Sequence, residues 1–248
     1  MNTVKSNLLT VLKQLKELQY TFYAPESKTF LHKNVPYYSQ WESKELADDF
    51  LSGERKAEDD PKWKQSGAKD KMEYANWSWS ACGITCFQMI YAHKTGKKIP
   101  LVELGKKALN FGAYTLNKEA YEKGEHMRAF SNLLYEPLVK FIGKEYGIEG
   151  KVKQLLVLPE IIAELDQNNF VIASVGGSIR DPKTTNIFRG GHLVLMLGYD
   201  LEKKIFWMHN PSGFYNQSQE YAQISFSDLE KFFDYKGVVI YNSSTRQE

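Results

Sequence analysis

Length, composition and charge restrict the classes of protein to which this chain can belong. Its 248 residues are enough for one large domain or two lobes around a cleft, and 42% of them are hydrophobic, as in ordinary globular proteins. The 32 basic residues nearly balance the 30 acidic ones, and no basic block stands out, so no nucleic-acid partner is expected. No stretch reaches the roughly 18 consecutive apolar residues of a membrane helix, so no membrane partner is expected either.

The first 26 residues are predicted to form a helical N-terminal extension. Their apolar positions recur mostly every three or four residues, which is typical of an amphipathic helix over residues 4–22. Lys and Gln interrupt the apolar positions, so the segment does not resemble a secretory signal. We therefore expect a cytoplasmic protein. The periodic residues are Val4, Leu8, Val11, Leu12, Leu15 and Leu18.

The chain contains only two cysteines, Cys82 and Cys86, four positions apart. Two sulfurs in one predicted helix make neither a disulfide framework nor a good zinc site. The cysteines suit a reducing compartment, and we expect neither a metal nor another cofactor.

Residues 27–248 are predicted to form the main domain, with a long charged insertion near its start. Residues 34–40 look like a short extended piece. Residues 42–79 are predicted to be a surface insertion with one short helix near residues 44–51, because a connection of this length is unusual in a compact domain. Two readings remain open: a solvated insertion without a role at the site, or a lid over it.

The pattern after the insertion changes from helices to strands. Helices are predicted at residues 82–94, 101–109, 126–143 and 157–166, followed by strands at 169–177, 191–200, 204–211 and 237–242. Short strands joined by turns favour an antiparallel sheet. A helical part followed by a strand part predicts an α+β fold with a cleft between the two parts.

Cys82 lies where a loop becomes a helix. Free N–H groups and the helix dipole at such a position lower the pKa of a thiol, which suits a nucleophile. Gly83 would leave room for a substrate backbone, and Trp77 and Trp79 stand in a polar context that suits a cleft wall. The alternative is that Cys82 is a small core residue. Cys86, between apolar neighbours, is expected in the core.

His192 follows two glycines, Gly190 and Gly191, and precedes a strand of five apolar residues. The glycines would keep the approach to the imidazole open to substrate, and the buried strand would give a general base a rigid mount.

Asn210 is the predicted partner of His192. A connection of about two to four residues between the strands at 191–200 and 204–211 brings Asn210 within a few positions of facing His192. Its amide oxygen could orient the imidazole. His209 is the competing base, but it should point to the opposite face of its strand.

Gln40 completes the set of candidate catalytic residues. Acyl chemistry needs hydrogen-bond donors aimed at the developing oxyanion, and the Gln40 amide together with the Cys82 N–H would supply them. The spacing alone supports this role only weakly.

These segments together resemble the peptidase C39-like members of the papain-like cysteine peptidase clan. The matching motifs are VPYYSQW at 35–41, CGIT at 82–85, GGHLVLMLGYD at 190–200 and HNP at 209–211. The resemblance implies a papain-like fold, with a helical lobe, an antiparallel β-sheet lobe and the active site in the cleft. It implies that Cys82 is the nucleophile, His192 the general base, Asn210 the orienting residue and Gln40 the oxyanion donor.

The chain departs from the family pattern in three places. Ile84 replaces the usual proline after Cys-Gly, and Asn210 replaces the usual acidic residue before Pro211. The imidazolium therefore lacks a negative partner. The interval between Gln40 and Cys82 is also long for the family.

Three functions remain open at this stage. The first is a cysteine peptidase that cleaves a peptide amide bond through a thioester. The second is an acyl or peptidyl transferase with the same residues, and the third is a catalytically weak binding module. The segment GGSIRDP at 176–182 lacks the lysine of a phosphate loop, and no Gly-x-Ser-x-Gly motif indicates a serine hydrolase. A peptide or acyl compound is the expected substrate.

Overall fold

The computed structural model describes residues 2–242, so residue 1 and residues 243–248 of the predicted extension and domain lie outside the described residues. The helices in this range are α1 (Asn2–Gln19), α2 (Ala47–Ser52), α3 (Lys71–Ser78), α4 (Cys82–Thr95), α5 (Leu101–Asn110), α6 (Lys118–Glu122), α7 (His126–Ala129), α8 (Tyr135–Tyr146), α9 (Leu158–Asp166) and α10 (Phe226–Phe232). The strands are β1 (Thr29–Leu31), β2 (Gly150–Lys153), β3 (Phe170–Gly176), β4 (Gly191–Asp200), β5 (Ile205–His209), β6 (Ala222–Ser225) and β7 (Phe233–Ile240).

All described strands belong to one antiparallel sheet in the order β2-β7-β3-β4-β5-β6, and β1 pairs with the end of β4. The β4–β5 hairpin predicted from the sequence is present, with Leu195 opposite His209 and a register shift between Met196 and Gly198. Helices together with an antiparallel sheet make this an α+β protein, as predicted.

Both faces of the sheet are covered by helices. On β4, the side chains of Leu193, Leu195 and Leu197 pack into one hydrophobic core with residues of α4, α5 and α8. The alternate residues Val194 and Met196 pack into a second core with residues of α9 and α10. Since successive side chains of a strand point to opposite faces, a strand buried on both faces has the unbroken apolar sequence seen here.

The insertion at 42–79 is folded and has buried residues of its own, although much of its middle is exposed. Its α2 covers the predicted short helix, but α3 was not predicted. The side chains of Trp41, Phe50 and Ala75 form a small separate core. The buried Asp60 accepts hydrogen bonds from Ser43 and Tyr74, which joins the middle of the segment to its ends.

The predicted helix 126–143 is divided into α7 and α8 by an extended stretch in which Phe130 forms a bridge with Leu116. Pro137 lies in the first turn of α8. A continuous helix would place this proline in its interior, where it lacks the N–H for a helical hydrogen bond and clashes with the preceding turn.

Helix α1 confirms a helix near the N-terminus, but its apolar side chains from Val11 onward do not face the core. The side chains of Leu8, Leu15 and Leu18 are exposed. The helix contacts the domain through Lys13, which pairs with Glu230, and Lys16, which pairs with Glu160 and reaches the Leu155 carbonyl. The division into an extension of 1–26 and a domain of 27–248 stays a prediction.

Short elements account for most of the other differences from the sequence prediction. Strands β1, β2 and β6 and helix α10 were not predicted, because segments of this length carry little periodic signal. Within the described part of the chain, no helix is both long and apolar enough to cross a membrane.

Candidate active site

Cys82 and His192 line the same cleft, which has a volume of about 380 Å³. One wall comes from the helical part of the chain and the other from strands β3, β4 and β7. The lining residues are Trp79, Ser80, Cys82, Met127, Phe130, Ser131, Asn132, Leu133, Tyr135, Ser174, Gly191, His192, Leu193, Asp234 and Lys236.

Cys82 is the first residue of α4, as the sequence predicts, and is partly exposed. The expected lowering of its pKa is not what the structure favours. Burial raises the pKa of the Cys82 thiol, although backbone hydrogen bonds at Leu193 and Gly83 and the charge of Arg180 oppose this. The thiol is therefore the resting form. Cys86, one turn further along α4, is fully buried with its Sγ 3.7 Å from the Leu193 carbonyl oxygen.

His192 and Asn210 form a direct hydrogen bond. The His192 Nε2 lies 2.8 Å from the Asn210 Oδ1. Because an amide oxygen only accepts, Nε2 carries the proton and Nδ1 is the nitrogen left to accept one. The backbone of Asn210 is held by Gln219 and by the Tyr37 hydroxyl, which accounts for its rigid placement after β5.

The imidazole of His192 is neutral in this environment. Burial, together with the charge of Arg180, lowers its pKa to about 3, and the hydrogen bond with Asn210 opposes both effects. A neutral imidazole can accept the proton of a thiol, so the charge state suits a general base.

His209 has a structural position away from the cleft lining. Its Nδ1 accepts the Tyr221 N–H at 3.0 Å, so its Nε2 donates to the Val35 carbonyl at 3.1 Å. Both ring nitrogens are occupied and the residue is fully buried, so neither nitrogen is free to act as a base.

Gln40 lies next to the Asn210 segment but is not among the residues that line the cleft. Its backbone N–H donates to the Pro211 carbonyl at 2.9 Å, and the residue is buried. This contact joins the 35–41 motif to the 209–211 motif. The role of the Gln40 side chain as an oxyanion donor stays a prediction.

Only one of the two predicted cleft tryptophans reaches the cleft. Trp79 lines it, whereas Trp77 is 2% exposed and stacks on Phe130 with 4.0 Å between ring centroids. Trp77 packs against Gly105, where any Cβ would approach its ring to 2.7 Å. The structure therefore places Trp77 in the core and not on a substrate surface.

Gly83 allows close packing of neighbouring side chains and does not open a path for substrate. A Cβ at this position would lie 2.3 Å from Leu133 and 2.6 Å from Leu193. The absence of a side chain therefore lets these two leucines pack against the N-terminal turn of α4. The expected room for a substrate backbone is occupied by these side chains.

Gly190 and Gly191 both have left-handed backbone conformations, with φ of +77° and +82°. Glycine adopts this conformation without strain. Gly191 lines the cleft, and nothing lies within 4 Å of where its Cβ would be. Gly190 instead faces the Asp234 carboxylate. The open approach expected from the two glycines is therefore seen at Gly191.

Two further residues that the sequence did not indicate contact or adjoin the His192–Asn210 pair. Ser212 donates its N–H to the Asn210 Oδ1 at 3.2 Å, and its Oγ lies 3.3 Å from the His192 Nε2. Arg180 donates to the Ser212 carbonyl and hydroxyl. The sequence offers a signal for Arg180 only as part of the GGSIRDP segment, whose two glycines resemble a phosphate loop but which lacks the lysine of one.

A second cavity of about 510 Å³ adjoins the cleft. Trp79 and Met127 line both spaces. Residues of the insertion between Phe50 and Glu58 form one side of this second cavity, and residues 124–128 form the other.

No group of three metal-ligating side chains is present in residues 2–242. The cleft is lined by the Cys82 thiol and the His192 imidazole, and the imidazole is hydrogen-bonded to the buried Asn210 amide, a set that can carry out nucleophilic acyl chemistry.

A protein-family model described as the Peptidase_C39 like family matches residues 32–241. No protein of curated function matches the chain. Among solved structures, that of a candidate C39-like peptidase from Bacillus anthracis is similar, with 11% identity, a TM-score of 0.40, and coverage of 88% of this chain and 99% of that chain. The family match spans most of the sequence and includes every candidate catalytic residue. The chain belongs to the Peptidase_C39-like family.

Proposed function

We propose that the protein is a cysteine peptidase that cleaves an amide bond of a peptide through a Cys82 thioester. Membership of the Peptidase_C39-like family indicates peptidase activity. The observation that carries the mechanism is that His192, which lines the same cleft as Cys82, is hydrogen-bonded to Asn210 at 2.8 Å.

In the acylation step, the Cys82 Sγ attacks the carbonyl carbon of the substrate while its proton passes to the His192 Nδ1. The C–N bond then breaks, and His192 returns this proton to the leaving amine. Asn210 holds the tautomer that leaves Nδ1 free. The neutral resting state of both groups favours proton transfer during attack over a permanent ion pair.

In the deacylation step, a water molecule attacks the thioester carbonyl and gives a proton to His192. The acid product leaves, and the proton returns to the Cys82 Sγ. The Cys82 backbone N–H and the Gln40 amide would donate to the oxyanion in both steps.

We propose a papain-like arrangement of the two parts of the molecule around this cleft. Cys82 begins a helix on one side, and His192 lies on the sheet on the other. Substrate would lie between them, across Trp79 and Gly191, and the adjoining second cavity would accept an apolar part of it.

The experiment is a peptide-library digestion with product identification by mass spectrometry, combined with trapping of the nucleophile by a peptidyl aldehyde. Cys82→Ala and His192→Ala should each abolish turnover with the fold retained, and Asn210→Ala should reduce it less, because Asn210 makes no bond to substrate. Asn210→Asp should retain activity. Cys86→Ala is the matched control and should remain active.

Persistent cleavage by the Cys82→Ala variant would overturn the proposal. Product formation that requires an added amine would instead identify an acyl or peptidyl transferase. Binding of peptides without turnover by the wild-type protein would identify a binding module.

A further inference from the structure

Arg180 is held beside the proposed catalytic residues by hydrogen bonds to neutral groups. It ends the helical turn Gly177–Arg180 that follows β3. Its Nε donates to the Ser212 carbonyl at 2.6 Å, its Nη2 to the Ser212 Oγ at 2.5 Å, and its Nη1 to the Gly177 carbonyl at 2.7 Å. Two of these donors bind Ser212, and the third anchors the planar guanidinium on its own helical turn, so the position of Ser212 is closely fixed.

Ser212 in turn contacts both members of the hydrogen-bonded pair. Its N–H donates to the Asn210 Oδ1 at 3.2 Å, and its Oγ lies 3.3 Å from the His192 Nε2. The Asn210 oxygen thus accepts from Ser212 and from His192. An oxygen with both lone pairs engaged holds the imidazole in one orientation, so the position of Ser212 decides the direction of the ring.

The charge of Arg180 has no carboxylate partner. Among residues 2–242 it forms no ion pair, and burial lowers its pKa only to about 10, so it remains a cation at neutral pH. Its charge lowers the pKa of Cys82 and of His192. A partly buried cation without a counter-ion favours the appearance of a nearby negative charge.

Most of the other charged groups around the site form ion pairs, in contrast to Arg180. Asp234 and Lys236 of β7 line the cleft and lie 3.3 Å apart as a pair. On its far side Arg180 borders a separate cavity whose charged lining residues are Asp181, Lys183, Asp228 and Lys231, of which Lys231 and Asp228 are paired.

We propose that Arg180 is a positioning residue of this active site: it holds Ser212, and through it the His192–Asn210 pair, while its charge stabilises the Cys82 thiolate as it forms. This inference rests on the proposed function for its catalytic meaning, but the thiolate can be measured without a peptide substrate.

The experiment measures the rate of Cys82 alkylation by iodoacetamide against pH, with mass mapping, in the wild type and in Arg180→Met, Arg180→Lys and Ser212→Ala. Arg180→Met should raise the midpoint by about one pH unit and slow alkylation at neutral pH about tenfold. Arg180→Lys should keep the midpoint close to that of the wild type, because it keeps the charge. NMR titration of His192 should show a higher pKa in Arg180→Met.

Ser212→Ala separates positioning from charge. It should leave the alkylation midpoint close to that of the wild type and lower kcat on any cleaved peptide, with little change in KM. Arg189→Met is the matched control, because Arg189 also donates to backbone carbonyls, those of Lys231 and Glu230, but does not contact Ser212. It should change neither quantity.

An Arg180→Met variant with the wild-type alkylation midpoint and His192 titration would overturn the role of the charge. If Arg180→Met does not fold, Arg180→Lys provides the test. Because lysine keeps the charge, a rise of about one pH unit in its alkylation midpoint would overturn the role of the charge equally. Ser212→Ala removes the hydroxyl but keeps the backbone N–H on Asn210, so unchanged kcat in both Ser212→Ala and Arg180→Met would overturn the positioning role. A shifted midpoint in a protein that cleaves no peptide would leave the inference standing and reject only the peptidase.

Discussion

At the scale of single residues, the two cysteines differ mainly in their exposure to solvent, since burial raises the pKa of both thiols. Cys82 is partly exposed in the cleft, whereas Cys86 is fully buried and its pKa is raised well above its ordinary value by burial. The thiolate is the species that reacts, so reaction requires both ionisation and contact with the reagent.

We expect iodoacetamide to alkylate Cys82 at least about tenfold faster than Cys86 in the native protein, since Cys86 reacts only after local opening. Peptide mapping of a partly labelled sample measures both rates. Denatured protein is the control, in which the two rates should converge. Preferential labelling of Cys86 in the native protein would contradict the assignment of the nucleophile.

His209 provides a second test at this scale. His209→Ala should lower the free energy of unfolding by about 2–4 kcal/mol, because it leaves the buried Tyr221 N–H and Val35 carbonyl without partners. Urea unfolding measures this loss. The folded fraction should retain most of the peptidase activity, in contrast to His192→Ala. An inactive, stably folded His209→Ala beside an active His192→Ala would reverse the choice of base.

At the scale of secondary-structure elements, the start of α4 depends on the absence of a side chain at Gly83. Gly83→Ala should destabilise the protein by about 1–3 kcal/mol, because its Cβ would overlap Leu133 and Leu193. Gly143→Ala in α8 is the control, since the nearest atom to its Cβ would be 3.9 Å away. It should be neutral or stabilise by about 0.5–1 kcal/mol through helix propensity. Equal thermal unfolding of both variants would refute the packing role.

The insertion at 42–79 is predicted to act on substrate choice where it borders the second cavity. Trp79→Ala should raise KM for peptides with large apolar side chains about tenfold and leave kcat for small peptides within about twofold, because it removes a wall and no catalytic group. A substrate panel with the wild type and Leu116→Ala, an exposed residue outside both cavities, measures this. An unchanged profile in Trp79→Ala would leave the insertion without a role in substrate binding.

At the scale of the whole molecule, three buried histidines together determine how stability depends on pH. Burial lowers the pKa of His32 to about 4, of His192 to about 3 and of His209 to about 4. In the unfolded chain these groups take up protons near pH 6.5. Their contribution to stability is therefore complete above about pH 6.5 and is lost as pH falls toward the folded-state values.

We expect the free energy of unfolding to fall by up to about 4 kcal/mol between about pH 7.5 and about pH 5.5, which is about 1.4 kcal/mol for each histidine. Urea titrations across this range measure the loss. His32→Gln should reduce the pH dependence by about one third, because it removes one titrating group. A stability that stays constant over this range would contradict the neutral burial of the three rings.

Local rules made several features predictable from the sequence. The helix predicted at 82–94 ends at Thr95, where Gly96 caps it with a φ of +71°. The apolar run after His192 predicted a buried strand, and the short connection to β5 predicted that Asn210 would come near His192. These signals act over a few residues of chain, where hydrogen-bonding geometry and side-chain alternation leave few options.

The tertiary structure decided which of two neighbouring residues of the same type lies in the core and which lines the cleft. Trp77 and Trp79 lie in one polar stretch of sequence, yet Trp77 stacks on Phe130 in the core and Trp79 lines the cleft. Arg180 reaches Ser212 across 32 positions of sequence, a contact that no local pattern encodes. Sequence periodicity describes one element at a time, whereas burial, shared cavities and the field of a distant charge depend on which elements meet in the folded chain.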